Sequence, residues 1–398
     1  MVADSSAAAP ATPFHREGSQ SEKPLACRAI ETALQRHARE ALMTFKRLLL
    51  GGRFESTSAA LRRVRLVQIA AWLAAAAGCT TQGGAGEPIL IERQGAFAVG
   101  GKVIGDATTS SLHCDHGVVE YEIPPHPRTV NLLMWHSASA GAFQNRWDGG
   151  EGFQSLFVRR GFPVYIWDGP RVGRANWGCA ETAYAPALGQ DQRNFAAWRF
   201  GATYPQWFDG VQFPKDDPEA WNQATRGRYQ EFDTVANAQL ESDAAAELAK
   251  KIGPTVAVTN SAGGMRALLA ALKSDQIKGI VAYENVGYVF PQGEGPGGAQ
   301  GPFGPIEVPL EEFRRLTKIP LQMVWGDNVE KSANFAAALV QSKRFVELVN
   351  KYGGKAEILM LRDTGLTGNT HLPFADLNNV AVADLLSKFL AANGLDSR

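Results

Sequence analysis

From about residue 90 the chain alternates short β-rich runs with segments of helical pattern, and this alternation constrains its fold more than any other feature. The runs are Val118–Ile123, Thr129–Trp135, Pro163–Trp167, Thr255–Thr259, Gly279–Glu284, Pro320–Trp325 and Lys355–Leu361. Helical patterns cover Glu151–Arg160, Asp233–Ile252, Ala262–Ser274, Leu310–Arg315, Ala333–Tyr352 and Asn378–Asn393. Such alternation predicts an α/β fold, with a mostly parallel central sheet and helices on both faces. Ligands bind such sheets at the carboxyl ends of the strands. The pattern breaks between Gly169 and Thr234, where Trp177, Trp198, Phe200, Tyr204, Trp207, Phe208, Phe213 and Trp221 are interspersed with Pro and Gly. That stretch is too long for a simple crossover and too aromatic for a disordered loop. It reads as a cap insertion, about 169–234, lying over the carboxyl edge. Most of its aromatics should form the cap's own core, with one or two facing a substrate pocket.

The first 89 residues read as a separate leader region. Residues 1 to 26 are rich in Ala, Ser and Pro, the composition of a disordered segment. Within "LRRVRLVQIAAWLAAAAGCTTQGG", Arg62, Arg63 and Arg65 precede an apolar run from Val67 to Ala77, and small residues follow. This is the layout of a secretory signal, at about 61–79. Ala76–Ala77–Gly78–Cys79 resembles a lipoprotein cleavage site, which would place a lipid anchor at Cys79. A signal that begins near residue 61 implies a translation start downstream, for example at Met43. The expected location is periplasmic or secreted, with an Ala-rich helix in a cytoplasmic chain as the alternative. No apolar stretch reaches the roughly 18 residues that span a membrane.

Forty basic residues balance forty acidic ones, so nucleic acid is not an expected partner. A homodimer is left open. Cys114 and Cys179 are the two cysteines of the folded region, and an exported chain could join them, although sequence alone does not establish the pairing. His113-Cys114-Asp115-His116 lacks a second ligand pair at a recognised spacing. It reads as the exposed start of the strand Val118–Ile123, and no metal is expected. No Gly-rich phosphate loop follows a strand, so no cofactor is expected either.

The chemistry centres on "TVAVTNSAGG", residues 255 to 264, where an apolar run turns abruptly into an Ala/Leu-rich segment. A nucleophile elbow has this form, Gly-x-Ser-x-Gly, with the serine on a strained turn between strand and helix. Residues two positions either side must be small because strand and helix approach closely there. Gly263 meets that need, and Thr259 replaces the first Gly with a larger but compact residue. Ser261 is therefore the candidate nucleophile. It needs a base, and the base needs an orienting acid. Of seven histidines only His371 follows Ser261, in the loop "GNTHLPFADLNN" before the last helix. Upstream, "LLMWHSASAGAF" ends a strand in small residues whose N–H groups could approach an oxyanion. The expected donors are the N–H groups of Ala138 and, just after the nucleophile, Ala262. The turn at Asp168, Gly169, Gly173 and Arg174 reads as scaffold.

With these residues in place, the chain from about 90 to 393 resembles the α/β-hydrolase superfamily, and more narrowly a group of bacterial and fungal serine esterases with a Ser–Glu–His triad. The resemblance rests on "FAVGG", "VEYEIP", "MWHSASAG", "GGEGFQSLFVRRGFPVYIWDGPRVGRA", "YPQWFDGVQFP", "VTNSAGG", "IVAYEN", "IPLQMVWGDN" and "GNTHLPFADLNNVAVADLL", which occur in the family's order. His136–Ser137 replaces the family's His-Gly, and Asn260 and Ala262 replace its usual His or Gln beside the nucleophile; both departures are expected to line the site. The resemblance offers two acids. The narrower group places it after the sixth strand, at Glu284 in "AYEN", which is preferred; most hydrolases of the fold place it after the seventh, at Asp327 in "VWGDN".

The resemblance implies a serine hydrolase that cleaves small-molecule carboxylic esters through an acyl-enzyme. Lactones and amides on the same triad, or a silent hydrolase fold used for binding, are the alternatives. An unperturbed histidine base would make kcat/KM climb with pH through roughly 6 to 8. The leader reading has its own test: the protein purified from its native host should lack residues 1 to 60, and their retention would refute export.

Overall fold

In the computed structural model the described residues are 88–398, except 182–184, 186 and 298–302. The leader, with its signal-like segment and Cys79, lies outside them.

Eight strands form one sheet: β1 (Arg93–Asp106), β2 (Ser110–Ile123), β3 (Asn131–His136), β4 (Val164–Asp168), β5 (Thr255–Asn260), β6 (Ile277–Tyr283), β7 (Pro320–Trp325) and β8 (Lys355–Met360). Their order is β1-β2-β4-β3-β5-β6-β7-β8. β1 and β2 pair antiparallel to each other, and β2 antiparallel to β4; all the other pairings are parallel. The expected mostly parallel sheet is therefore present.

Seven helices matter to the site: α1 (Phe153–Arg159), α2 (Gln190–Ala197), α3 (Pro218–Arg226), α4 (Val235–Ile252), α5 (Ala262–Ala271), α6 (Ala333–Lys351) and α7 (Asn379–Ala392). Alternate residues of each central strand feed opposite layers, because successive side chains of a strand point to opposite faces. Leu133, Trp135, Ala257, Ile280, Ala282, Met323 and Trp325 pack with α4, α5 and α6. Leu132, Met134, Val256, Val258, Val281, Tyr283 and Val324 pack with α1 and α7. Both faces of β5 and β6 are thus dry. That explains why these strands read as continuous apolar runs rather than as alternating ones.

β1 and the first half of β2 were not expected as strands. Their residues are mostly exposed, and β1 carries four glycines, so neither hydrophobic periodicity nor β propensity marks them. The cluster 113–116 lies inside β2 rather than at an exposed start: Cys114 and Asp115 are buried. Among the described residues no three His, Cys, Asp or Glu side chains gather as a metal would need, and no helix is long and apolar enough to cross a membrane.

The insertion between β4 and α4 holds α2, α3 and the short paired strands Gly201–Thr203 and Gln206–Trp207. Its aromatics pack on one another, as expected for most of them. Ring centroids lie 4.7 Å apart for Phe195 and Trp207, 4.5 Å for Phe200 and Phe213, and 5.3 Å for Tyr204 and Trp221. Cys114 and Cys179 form a disulfide that ties β2 to the start of this insertion. Beside it the Asp115 carboxylate pairs with Arg171 at 2.7 Å and accepts the Cys179 N–H at 3.0 Å. Replacing both cysteines by alanine should lower the unfolding free energy by about 2–4 kcal/mol, read from denaturant melts, since the bridge closes a long loop in the unfolded chain.

Candidate active site

The strands end at one level. β3 and β5 pair His136 with Asn260, β5 and β6 pair Asn260 with Tyr283, and β6 and β7 pair Tyr283 with Val324. Ser137, Ser261 and Glu284, the residues that follow, therefore emerge side by side at the carboxyl edge, and Gly326 lies one residue further on because β7 runs to Trp325. Two backbone bonds continue the ladder past the strands: Ser261 N–H donates to the Tyr283 carbonyl at 3.1 Å, and Glu284 N–H to the Val324 carbonyl at 2.8 Å.

Ser261 has φ 54° and Glu284 also has φ 54°. Non-glycine residues are rare in this region, and it persists where the surroundings over-determine it, typically at functional sites. Ser261 sits between β5 and α5, the strained turn expected of a nucleophile elbow. The need for small neighbours is visible in the packing. A Cβ at Gly263 would lie 2.8 Å from the Trp135 carbonyl oxygen, and one at Gly264 would lie 2.2 Å from Asn285 Oδ1. Thr259, in place of the first Gly, stays within β5, paired with Trp135 and Ala282, and is fully buried. Among the described residues the Ser261 hydroxyl makes no hydrogen bond, and such bonds commonly close only when substrate is present.

His371 is buried, and its Nδ1 lies 3.7 Å from Glu284 Oε2. That is ion-pair range rather than a closed hydrogen bond. The other carboxylate oxygen, Oε1, accepts the Gly326 N–H. Burial pushes the Glu284 carboxyl up, but the Arg199 guanidinium, His371 and the Gly326 N–H outweigh it and hold it below its ordinary value. For His371 burial prevails: the imidazole falls below its ordinary value although Glu284 opposes the shift. Asp327, the alternative acid, is turned to other work. Its Oδ2 accepts the Gly368 N–H, and its Oδ1 lies 3.5 Å from Arg362. The structure therefore brings Glu284 to His371 and places the Asp327 carboxylate on a loop bond and a surface arginine.

Asn260, expected to line the site, is instead a buried brace. Its amide donates to the Tyr283 carbonyl at 3.1 Å and to the His371 carbonyl at 2.9 Å. One side chain thus joins the residue before Ser261 to the residue before Glu284 and to His371 itself. Ser137 is likewise buried rather than site-lining. The Ala138 N–H, an expected oxyanion donor, is occupied: it donates to His136 Nδ1 at 2.9 Å. Burial, with His371 and Arg228 adding to it, pushes His136 down to about 3, so this ring is neutral and carries its proton on Nε2. The Ala262 N–H begins helix α5, where N–H groups have no partner within the helix.

Four contributors were given no role at the site by the sequence reading. Asp376 is buried and gathers the His371 loop, accepting the Thr370 N–H and hydroxyl, each at 2.8 Å, and the Asn369 amide at 3.0 Å. Its place five residues after His371 was the available signal. Trp198 and Arg199 come from the cap. The Trp198 carbonyl accepts the His371 N–H at 3.0 Å, and its ring lies parallel to the imidazole at 6.4 Å. Phe335, from α6, covers the imidazole at 4.6 Å.

No family model matches the chain, and no curated protein matches it. Solved structures do. A bacterial esterase described as novel superposes with TM-score 0.64 at 24% identity, over 77% of this chain and 98% of that one. An esterase of Pyrococcus furiosus (TM-score 0.42, 11% identity, 75% and 92% of the two chains) and the acylaminoacyl peptidase of Pyrococcus horikoshii (0.38, 13%, 78% and 43%) also match. The mostly parallel sheet, the helices on both faces and the first of these likenesses define the chain as an α/β-hydrolase fold.

Two variants probe this geometry. Asn260→Ala removes the brace and takes the Asn260 amide from the His371 carbonyl, while the Tyr283 carbonyl keeps the Ser261 N–H. It should cost about 1–3 kcal/mol in denaturant melts. Gly263→Ala should be more damaging, because the Trp135 carbonyl is backbone and cannot yield without moving β3.

Proposed function

We propose that the protein is a serine hydrolase of carboxylic esters, with Ser261 as nucleophile, His371 as general base and Glu284 as the acid that orients it. The observation that carries this reading is the buried meeting of His371 Nδ1 and Glu284 Oε2, braced by Asn260 to the strained turn at Ser261. Nδ1 faces the carboxylate, which leaves Nε2 to take the serine proton. Attack on the acyl carbon gives a tetrahedral intermediate; its ester C–O bond breaks, the leaving alcohol takes the proton from Nε2, and an acyl-enzyme remains, after which the same imidazole activates water to release the acid and restore Ser261. The Ala262 N–H, at the positive end of α5, is the first oxyanion donor. The Ala138 N–H serves as the second by exchanging its bond to His136 Nδ1 for one to the oxyanion. The named esterase among the structural neighbours is consistent with this chemistry, and esters are the class to test first.

The test combines labelling, turnover and pH. A fluorophosphonate probe should label the wild type and not Ser261→Ala, and p-nitrophenyl esters of increasing acyl length should rank the acyl preference. Absence of Ser261-dependent labelling would instead favour a silent binding fold. Glu284→Gln should lower kcat by about 10²-fold or more, because the imidazolium formed in the transition state loses its counter-charge. Asp327→Asn should not produce that loss; a reversal of the two results would reassign the acid.

The pH profile follows from burial. Because His371 is held below its ordinary value, the base is neutral at lower pH than an exposed histidine would be. kcat/KM should therefore rise with a midpoint below pH ~6.5 and be level above it. Glu284→Gln should move the midpoint lower still, since the imidazolium loses the partner that favours it. A profile flat from pH ~5 to ~9 under rate-limiting chemistry would argue against histidine base catalysis.

A further inference from the structure

Arg199 is a cap residue with an unusual position. Its side chain is about 1% exposed, and its backbone has φ 61°. Nη2 lies 2.6 Å from Glu284 Oε2, the same oxygen that faces His371 Nδ1. Nε donates to the Asp327 carbonyl at 2.8 Å, and the guanidinium lies over the Phe335 ring at 4.8 Å. Neither terminal nitrogen makes an aligned hydrogen bond, so the contact with Glu284 is chiefly charge on charge. Burying a guanidinium is costly unless an anion accompanies it. Here the anion is the carboxylate proposed to orient the base. The preceding residue, Trp198, holds the His371 backbone N–H. Two consecutive cap residues therefore grip the two partners of the proposed dyad, one each.

We infer that Arg199 is a positioning residue for hydrolysis, holding the Glu284 carboxylate ionised and setting the pH at which His371 becomes a free base. This rests on the triad proposed above. The physical reason is charge balance. Glu284 alone would favour the imidazolium strongly and keep the base protonated to higher pH. Paired with Arg199, the carboxylate offers the imidazole a nearly neutral neighbour. His371 then sheds its proton sooner, while Oε2 keeps the charge that aims Nδ1. The other charged or titratable groups around the dyad are Glu231, before α4, which favours the imidazolium, His136, at the end of β3, which is neutral, and Asp376, on the His371 loop, which burial pushes up to about 7 and the charge of Arg199 draws down. None of them pairs with Glu284. A cation that merely pinned the cap to the sheet would affect stability and leave the titration of the dyad unchanged.

The test is kcat/KM against pH, with melts, for wild type, Arg199→Met, Arg199→Lys and Glu284→Gln on one p-nitrophenyl ester. Removing the cation makes the dyad bind its proton more tightly. Arg199→Met should therefore move the midpoint upward by about half a unit or more, opposite to Glu284→Gln. Its kcat should fall about tenfold or more, with KM little changed. Arg199→Lys keeps the charge and should return the midpoint to near wild type. A folded Arg199→Met with an unmoved midpoint overturns the inference. If that variant does not fold, Arg199→Gln, which removes the charge and keeps a polar side chain, decides: a raised midpoint supports the inference and an unmoved one overturns it. Glu284→Gln separates the two levels: near-normal kcat there removes the triad reading itself, whereas an impaired Glu284→Gln beside an unmoved Arg199→Met removes only the role of Arg199.

Discussion

Two backbone hydrogen bonds at the carboxyl edge of the sheet underlie everything else at the site. Ser261 N–H donates to the Tyr283 carbonyl, and Glu284 N–H to the Val324 carbonyl. They extend the parallel ladder one residue beyond the strands and hold both residues in a region of backbone space that a free chain avoids. Because the register across β3, β5 and β6 is level, Ser261 and Glu284 lie side by side simply by being the next residue after their strands. The dry faces of β5 and β6 supply the rigidity, since a one-residue slip would turn every inward side chain to the wrong layer.

The cap is more than a cover. Its aromatic core gives it internal order, the disulfide between Cys114 and Cys179 fixes its start, and Trp198 and Arg199 reach from it into the dyad. An insertion with that role cannot swing away as a simple lid without releasing the His371 N–H and exposing two buried charges.

Several residues proved to be supports rather than lining. Asn260 stands where the sequence pattern suggested a substrate contact, and its amide instead spans two carbonyls from different loops. Asp376 performs the equivalent task for the His371 loop. The Ala138 N–H is occupied by His136 Nδ1. Asn260 reaches the backbone of two other segments, Asp376 the backbone and side chains of its own loop, and the Ala138 N–H a side chain two residues back. Hydrogen bonding of this kind leaves no periodicity in a sequence, and a short polar residue in a loop reads the same whether it faces water or a buried carbonyl.

The order of strands and helices, the turn at Ser261 and the solitary histidine after it were all legible in the sequence, because each follows from local rules. A buried parallel strand must be apolar along its length, a tight strand-to-helix turn must have small neighbours, and a chain with one downstream histidine offers one base. The edge strand β1 and the first half of its neighbour β2 were less legible, since only part of their surface is buried and the glycines of β1 break the pattern. The choice between Glu284 and Asp327 could not be made by local rules at all. Both follow strands, both are acidic, and both sit at the same edge. The difference is three-dimensional: Asp327 meets the Gly368 N–H and Arg362, while Glu284 meets His371 and a buried arginine that arrives from 85 positions earlier in the chain. Charge and burial act through distance in space, and only the folded chain sets those distances.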